Sequence, residues 1–351
     1  MSDQALHARP KTREGARALS GIAILVAGLC ALPMLAVLVA ALSGGTETVQ
    51  HLMQTVLGGY TRTTLALVVL VALGTFMIGV GAAWLVTMTR FPGVRFFEIA
   101  LVLPLAFPAY VLAYAYTNVL DHPGIVQTML RDVTGWGPRD YWFPDIRSLG
   151  GAAAMLVLVL YPYVYLLARA AFIQQSGTTF LAARALGSGP CAAFFKVSLP
   201  LARPAIAGGV LLAVMETIAD FGTVAYFGVQ TFATGIYTSW FSMFDRVAAA
   251  QLALCLLSFA LLLAMLERLQ RGDAKYYDPA RQAQAVPATP LSGWRGIAAT
   301  LLCAVPVTFG AILPIVVLFS MGIGSEQNLL STRYLGFIQN SATLASVAAV
   351  V

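Results

Sequence analysis

Long apolar runs separated by short polar stretches organise this chain. Seven runs are long enough to cross a hydrocarbon core about 30 Å thick as helices: Ser20–Leu42, Thr63–Thr87, Glu98–Leu120, Leu149–Phe172, Ala205–Phe227, Val247–Leu266 and Gly296–Gly322. An eighth apolar segment starts before Val351. Pro104 and Pro108 are expected to kink the third run, which a helix bundle tolerates. The pattern predicts an all-α membrane protein.

One polar interruption stands out, Phe180 to Ala205, reading FLAARALGSGPCAAFFKVSLPLARPA. Ser176-Gly177-Thr178-Thr179 offers N-caps, and Phe180 to Leu186 are mostly good helix formers. Gly187 stands where a helix would end, Ser188 can cap a second one, and Pro190 suits its first turn. Ala192 to Val197 continue that helix, and Leu199-Pro200 is expected to stop it. The reading is a helix–turn–helix between two spans, placed to receive force from another protein.

Composition agrees with a membrane class. Of 351 residues, 59% are hydrophobic and only 10% charged, where a soluble domain has about a quarter charged. The net charge of +6 is then a topology signal rather than a nucleic-acid one. With the N-terminus inside, 15 of the 21 basic residues fall in inner segments, among them Arg9, Arg90, Arg184, Lys196 and Arg268. The positive-inside rule therefore predicts a cytoplasmic tail (1–19), a cytoplasmic interruption and a cytoplasmic linker (267–295). The first run is too long for a signal-peptide core and is read as an uncleaved span.

Two short matches share nearly one offset. Pro33 and Pro314 lie 281 residues apart, and Thr64 and Thr343 lie 279 apart, each in a similar apolar setting. They suggest a duplicated unit of about 280 residues. The expected organisation is a first six-span half over 20–266, with its interruption at 176–203, and the start of a second half over 296–351. The chain is accordingly expected to be a fragment or truncated form of a longer protein.

The interruption resembles the EAA loop of permease subunits of binding-protein-dependent ABC importers. Ala182-Ala183 is followed by three residues and Gly187, then nine residues to Val197, Ser198, Leu199 and Pro200, which is the family's spacing. Leu181 stands where the family carries glutamate. The resemblance implies a six-span type I importer bundle in a bacterial inner membrane. It also implies that Leu181, Ala182, Ala183, Gly187, Val197, Leu199 and Pro200 dock a cytoplasmic ATPase subunit, by shape and apolar packing where the acid is missing. A periplasmic substrate-binding protein would serve the other face, and membrane lipid would surround the spans.

Glu216 and Asp220 interrupt the fifth run. Four residues apart, they are expected on one helix face, with Glu216 about 16 Å from Ala205 and so near mid-bilayer. Carboxylates at that depth should face the bundle interior. They line a cation path or, equally, fix packing as protonated or hydrogen-bonded groups. The stretch from Met215 to Tyr237 is similar to the segment after the EAA loop in ferric-iron ABC permeases, which carry two fused six-span halves. That resemblance implies ferric iron as cargo; thiamine, phosphonate and polyamine permeases are close relatives. An ion-coupled secondary transporter using Glu216 and Asp220, and a membrane scaffold without transport, are the other classes.

The remaining chemistry is sparse. No G-x-x-x-x-G-K-[ST] phosphate loop occurs, so ATP hydrolysis is expected in a separate subunit and the chain is not read as an enzyme. Cys30, Cys191, Cys255 and Cys303 form no C-x-x-C pair, and neither metal nor cofactor is expected. Asp121-His122 is read as solvated. Tyr226, Phe227, Tyr237, Trp240 and Phe241 are read as interfacial anchors.

Overall fold

The computed structural model describes residues 13–175, 181, 183, 185–187, 189–271, 288–324 and 331–350. The chain enters through α1 (Arg13–Ser43), α2 (Gly45–Thr55) and α3 (Leu57–Met88), then β1 (Thr89–Arg90) and α4 (Val94–Ala100). A 3-10 turn at Leu103–Ala106 leads to α5 (Ala109–Leu120), α6 (Ile125–Thr134) and α7 (Leu149–Gln174). Next come α8 (Pro190–Ala193), a π-turn (Phe194–Ser198), α9 (Leu199–Ala219), α10 (Gly222–Tyr226) and α11 (Phe232–Tyr237). After a second π-turn (Thr238–Ser242) come α12 (Arg246–Arg271), β2 (Thr289–Pro290) and α13 (Trp294–Val307). A third π-turn (Thr308–Ile312), α14 (Leu313–Ile323) and α15 (Thr332–Val350) complete the described chain. Among the described residues six helices are long and apolar enough to cross a membrane, or seven if the bent pair around Pro108 counts as one span. The molecule is an all-α membrane protein, apart from β1 and β2. These form a two-residue parallel bridge, extended by the Leu291 N–H donating to the Arg90 carbonyl at 2.8 Å.

The centre is α7, flanked by α3 and α9. Its most apolar window is 61% buried, against none of the corresponding window in α1, so α7 is the axis and α1 the periphery. Small residues let these helices approach closely, which is how helices associate where lipid is as apolar as leucine. A Cβ on Gly79 of α3 would lie 2.7 Å from Val164 Cβ, and one on Gly209 of α9 would lie 2.8 Å from Val164 Cα. Polar groups inside α3 satisfy themselves: the Thr75 and Thr87 hydroxyls donate to the Val71 and Ala83 carbonyls at 2.7 and 2.6 Å. At one edge α1 packs on α12, with Gln251 donating to the Ala41 carbonyl. At the other, α13 and α14 with their π-turn meet α3, α4, α5 and α7, and the Tyr116 hydroxyl donates to the Phe309 carbonyl at 2.7 Å.

The bundle has two unlike ends. Residues 121–148 lie at one, here called the loop end; residues 189–198 lie at the other, the interrupted end. The third apolar run does more than kink. A residue before proline is pushed out of the helical region, and Phe107 is extended ahead of Pro108 (φ −101°, ψ 131°). The two arms diverge by 92°. The stretch between the third and fourth apolar runs, 121–148, contains α6, and 228–246 contains α11, closed by a capping box between Thr231 and Thr234.

The fifth span is displaced at both ends. Leu199-Pro200 does not stop a helix: Phe194–Ala219 runs as one candidate span of 26 residues. Pro200 sits in the first turn of α9, where its missing N–H is no loss, and the wider π-turn before it bonds the Leu199 N–H to the Phe194 carbonyl. The same arrangement recurs at Leu313-Pro314. At its far end α9 stops at Ala219, well short of Phe227.

Candidate functional site

At the interrupted end, the stretch divides into an exposed tip and an anchored base. Gly187 has φ +86°, the left-handed conformation in which glycine ends a helix without a Cβ clash. Around it Leu181 and Leu186 are exposed, Leu186 at 88%, and Ala183 is half-buried. Ala182 lies outside the described residues, as do Ser176–Phe180, Arg184 and Ser188.

The base begins at α8, which opens on Pro190. Phe194 is buried, its ring 5.1 Å from Trp84 of α3 and 5.7 Å from Phe172 of α7. Its neighbour Phe195 is exposed. Gln175, just past α7, donates to the Ser198 carbonyl at 2.8 Å. Val197, Leu199 and Pro200 are half-buried at the start of α9. Close by, Arg169 pairs with Glu98 at 3.2 Å and the Tyr165 hydroxyl donates to the Glu98 carbonyl, so α4 is tied to α7. Force applied to the tip would therefore reach α3 and α7 through Phe194, and α9 through the π-turn.

The second feature is a cavity of about 440 Å³ where two helix breaks meet. Phe107, Pro108 and Tyr110 line it from the broken span, Val159 and Tyr163 from α7, and Glu216 and Asp220 from the end of α9. Among its lining residues there is no lysine or arginine. The expected shared helix face for the two acids is not what forms. Asp220 lies beyond the helix, in extended conformation (ψ 121°). Its carboxylate accepts from the Thr223 N–H (3.1 Å), the Thr223 hydroxyl (3.0 Å) and the Val224 N–H (3.1 Å). It thus caps the start of α10, as acidic side chains do for free N–H groups.

Glu216 stands in the last turn of α9, about 26 Å along the axis from Leu199, near the helix end rather than its middle. It is exposed, and no described residue donates a hydrogen bond to it. Both carboxylates still line one cavity. One acid shapes the wall; the other is free to meet a solute.

A family model described as binding-protein-dependent transport system inner membrane component matches residues 75–272, more than half of the chain. The chain belongs to this family. The matched region of this inner membrane component contains the interrupted stretch, Glu216 and Asp220 together. It is 27% identical over 250 residues to the Fe(3+)-transport system permease protein FbpB 2 of Haemophilus influenzae, covering 71% of this chain and 45% of that one. The chain thus spans less than half the length of that relative. It is 29% identical over 189 residues to the molybdenum transport system permease protein ModB of Escherichia coli K12, covering 52% of this chain and 79% of that one. Its fold is similar to a chain in the crystal structure of a bacterial alginate ABC transporter bound to an alginate pentasaccharide-bound periplasmic protein. The TM-score is 0.60 at 16% identity, covering 74% of this chain and 96% of that one.

Sequence reasoning on this inner membrane component missed two groups: Tyr110 and Tyr163 in the cavity wall, and Arg147. Arg147 lies at the loop end, 3.0 Å from Asp121, whose carboxylate raises the guanidinium pKa above its ordinary value. The cavity had a signal in Pro104 and Pro108, since a span broken on one side leaves room beside its neighbour. Asp121, read as solvated, is half-buried in this pair.

Proposed function

We propose that this family member forms the membrane path of an ATP-driven importer for a cationic cargo, with ferric iron as the cargo to test first. The single observation carrying the cargo class is the charge of the cavity: two carboxylates and, among its lining residues, no lysine or arginine. An oxyanion there would face repulsion with no opposite charge to offset it, and a hydrated cation would be attracted. The relative named for Fe(3+) transport supports this choice. The relative named for molybdenum transport makes an oxyanion the competing outcome.

The basic residues concentrated in the inner segments support a cytoplasmic N-terminus and a cytoplasmic interrupted end. A cytoplasmic ATPase subunit docks on the tip around Leu181, Ala182, Ala183 and Gly187. Its closure pushes through Val197, Leu199, Pro200 and Phe194 into α3, α7 and α9. At the loop end, a periplasmic binding protein delivers cargo to the cavity at Glu216 and Asp220. Closure of the ATPase opens the cavity outward, and hydrolysis resets it inward. Glu216 meets the cation electrostatically and lets it go. Among the described residues no cluster of three or more metal-ligating side chains surrounds it, and a path that releases its cargo needs no such trap.

The test is uptake into right-side-out vesicles from cells expressing the chain together with a candidate ATPase subunit and a candidate periplasmic binding protein. Ferric iron, molybdate, sulfate and thiamine are offered in parallel, with and without internal ATP. ATP-dependent uptake of ferric iron but neither oxyanion is expected. Uptake of an oxyanion would overturn the cargo class, and uptake without nucleotide would turn the reading toward an ion-coupled transporter.

A further inference from the structure

We infer that Arg147 is a positioning residue that latches a two-helix lid over the carboxylate cavity; this rests on reading the cavity as part of the cargo path. The lid consists of α5 and α10. Each starts at one of the two breaks that line the cavity, α5 after Pro108 and α10 after Asp220. The pair is packed along its length. Near the cavity, Gly222 sits against Tyr110 so closely that a Cβ would lie 3.1 Å from Tyr110 Cβ. Further along, the Tyr114 and Tyr226 rings meet edge to face, 6.3 Å apart.

Both helices then finish under one guanidinium. Arg147 Nε donates to Oδ2 of Asp121, the residue directly after α5, at 3.0 Å. Its Nη1 donates to the carbonyl of Tyr226, the last residue of α10, at 3.3 Å, and the guanidinium lies 5.1 Å over the Tyr226 ring. A cation is favoured at the carbonyl end of a helix. Arg147 is itself fixed to the central helix. It precedes Ser148, the N-cap of α7, whose hydroxyl accepts from the Gly151 N–H, and its own N–H donates to Asp145. One side chain therefore joins the far ends of both lid helices to the bundle axis.

The latch is built to open. The Arg147 and Asp121 side chains are 44% and 28% exposed, and exposed ion pairs hold weakly. The planar fork matters as well as the charge, since a guanidinium holds two donors in a fixed plane that can also cover a ring. With the latch intact the far ends of α5 and α10 are held to the start of α7, beside the cavity. Without it α5 and α10 separate, and the cavity floor becomes reachable.

Val159 lines the cavity and is only 4% exposed, so a cysteine there reports opening. In the full chain with its four native cysteines changed to alanine, Val159→Cys is labelled from the loop end with a membrane-impermeant maleimide. Arg147→Ala is expected to raise the labelling rate at least tenfold, and Arg147→Lys, which keeps the charge without the fork, by less. Should Arg147→Ala fail to give a monodisperse protein, Asp121→Asn, which removes the charge opposite the guanidinium, and Tyr226→Leu, which removes the ring beneath it, are read in its place. A rate within twofold of the parent in the variants that fold would overturn the latch. The labelling needs no cargo, so the two readings fail separately. A raised rate with no cation uptake in the parent chain would leave the latch and remove the proposed function; cation uptake with an unchanged rate would do the reverse.

Discussion

The two ends of α9 behave in opposite ways. At Pro200 the residue usually taken as a helix breaker sits inside a continuous span, because a π-turn before it takes up the backbone bonding. At Asp220 an apolar run without a proline breaks, because a carboxylate collects three hydrogen bonds from the start of the next helix. A break thus depends on what the freed backbone groups can bond to, more than on which residue stands there. The consequence is functional. On the proposed function, continuity at the first end would carry a push on the tip into α9, while the residues of the break at the second end line the cavity.

Substitutions at four positions test that contrast. The largest effect is expected from Gly187→Trp, which puts a bulky side chain at φ +86° on the exposed tip. ATP-dependent uptake should fall to background while membrane insertion stays normal. Phe194→Ala comes next. Removing a ring held between Trp84 and Phe172 should cost about 3–5 kcal/mol of packing. It should lower the thermal midpoint in detergent and leave the partner ATPase turning over without cargo movement.

Asp220→Ala removes the cap of α10 and should cost about 1 kcal/mol. Asp220→Asn should recover most of it, as measured by denaturation. Pro200→Ala should be the quietest, within about 1 kcal/mol of the parent, because a proline in the first turn gives up no bond. A change of several kcal/mol at Pro200 would show that it ends a helix after all, and the contrast between the two ends would collapse.

How legible this was depended on the scale of the feature. The seven apolar runs correspond to helices because a bilayer demands length and apolarity, and both are plain in a single sequence. Gly187 was legible as a turn because its chemistry is local. Leu199-Pro200 misled because a π-turn before it, which no residue in the pair announces, carries the helix through. Asp220 misled for a related reason: spacing of four implies one helix face only while the helix continues, and the donors that end it come from Thr223 and Val224 further on. The cavity was half visible, with its acids and its prolines each marked, but their meeting is a tertiary fact. Arg147 was not legible, since its partners lie 26 and 79 residues away.

The central claim is that α9 links a docking tip to a free carboxylate, and Glu216→Gln tests it most directly. The substitution keeps shape and removes charge from a side chain with no described hydrogen bond. Uptake of ferric iron and stimulation of the partner ATPase are measured on the same vesicles. The account predicts that uptake falls at least tenfold while ATPase stimulation and thermal stability hold. Uptake unchanged by Glu216→Gln, with the protein folded and coupled, would contradict it.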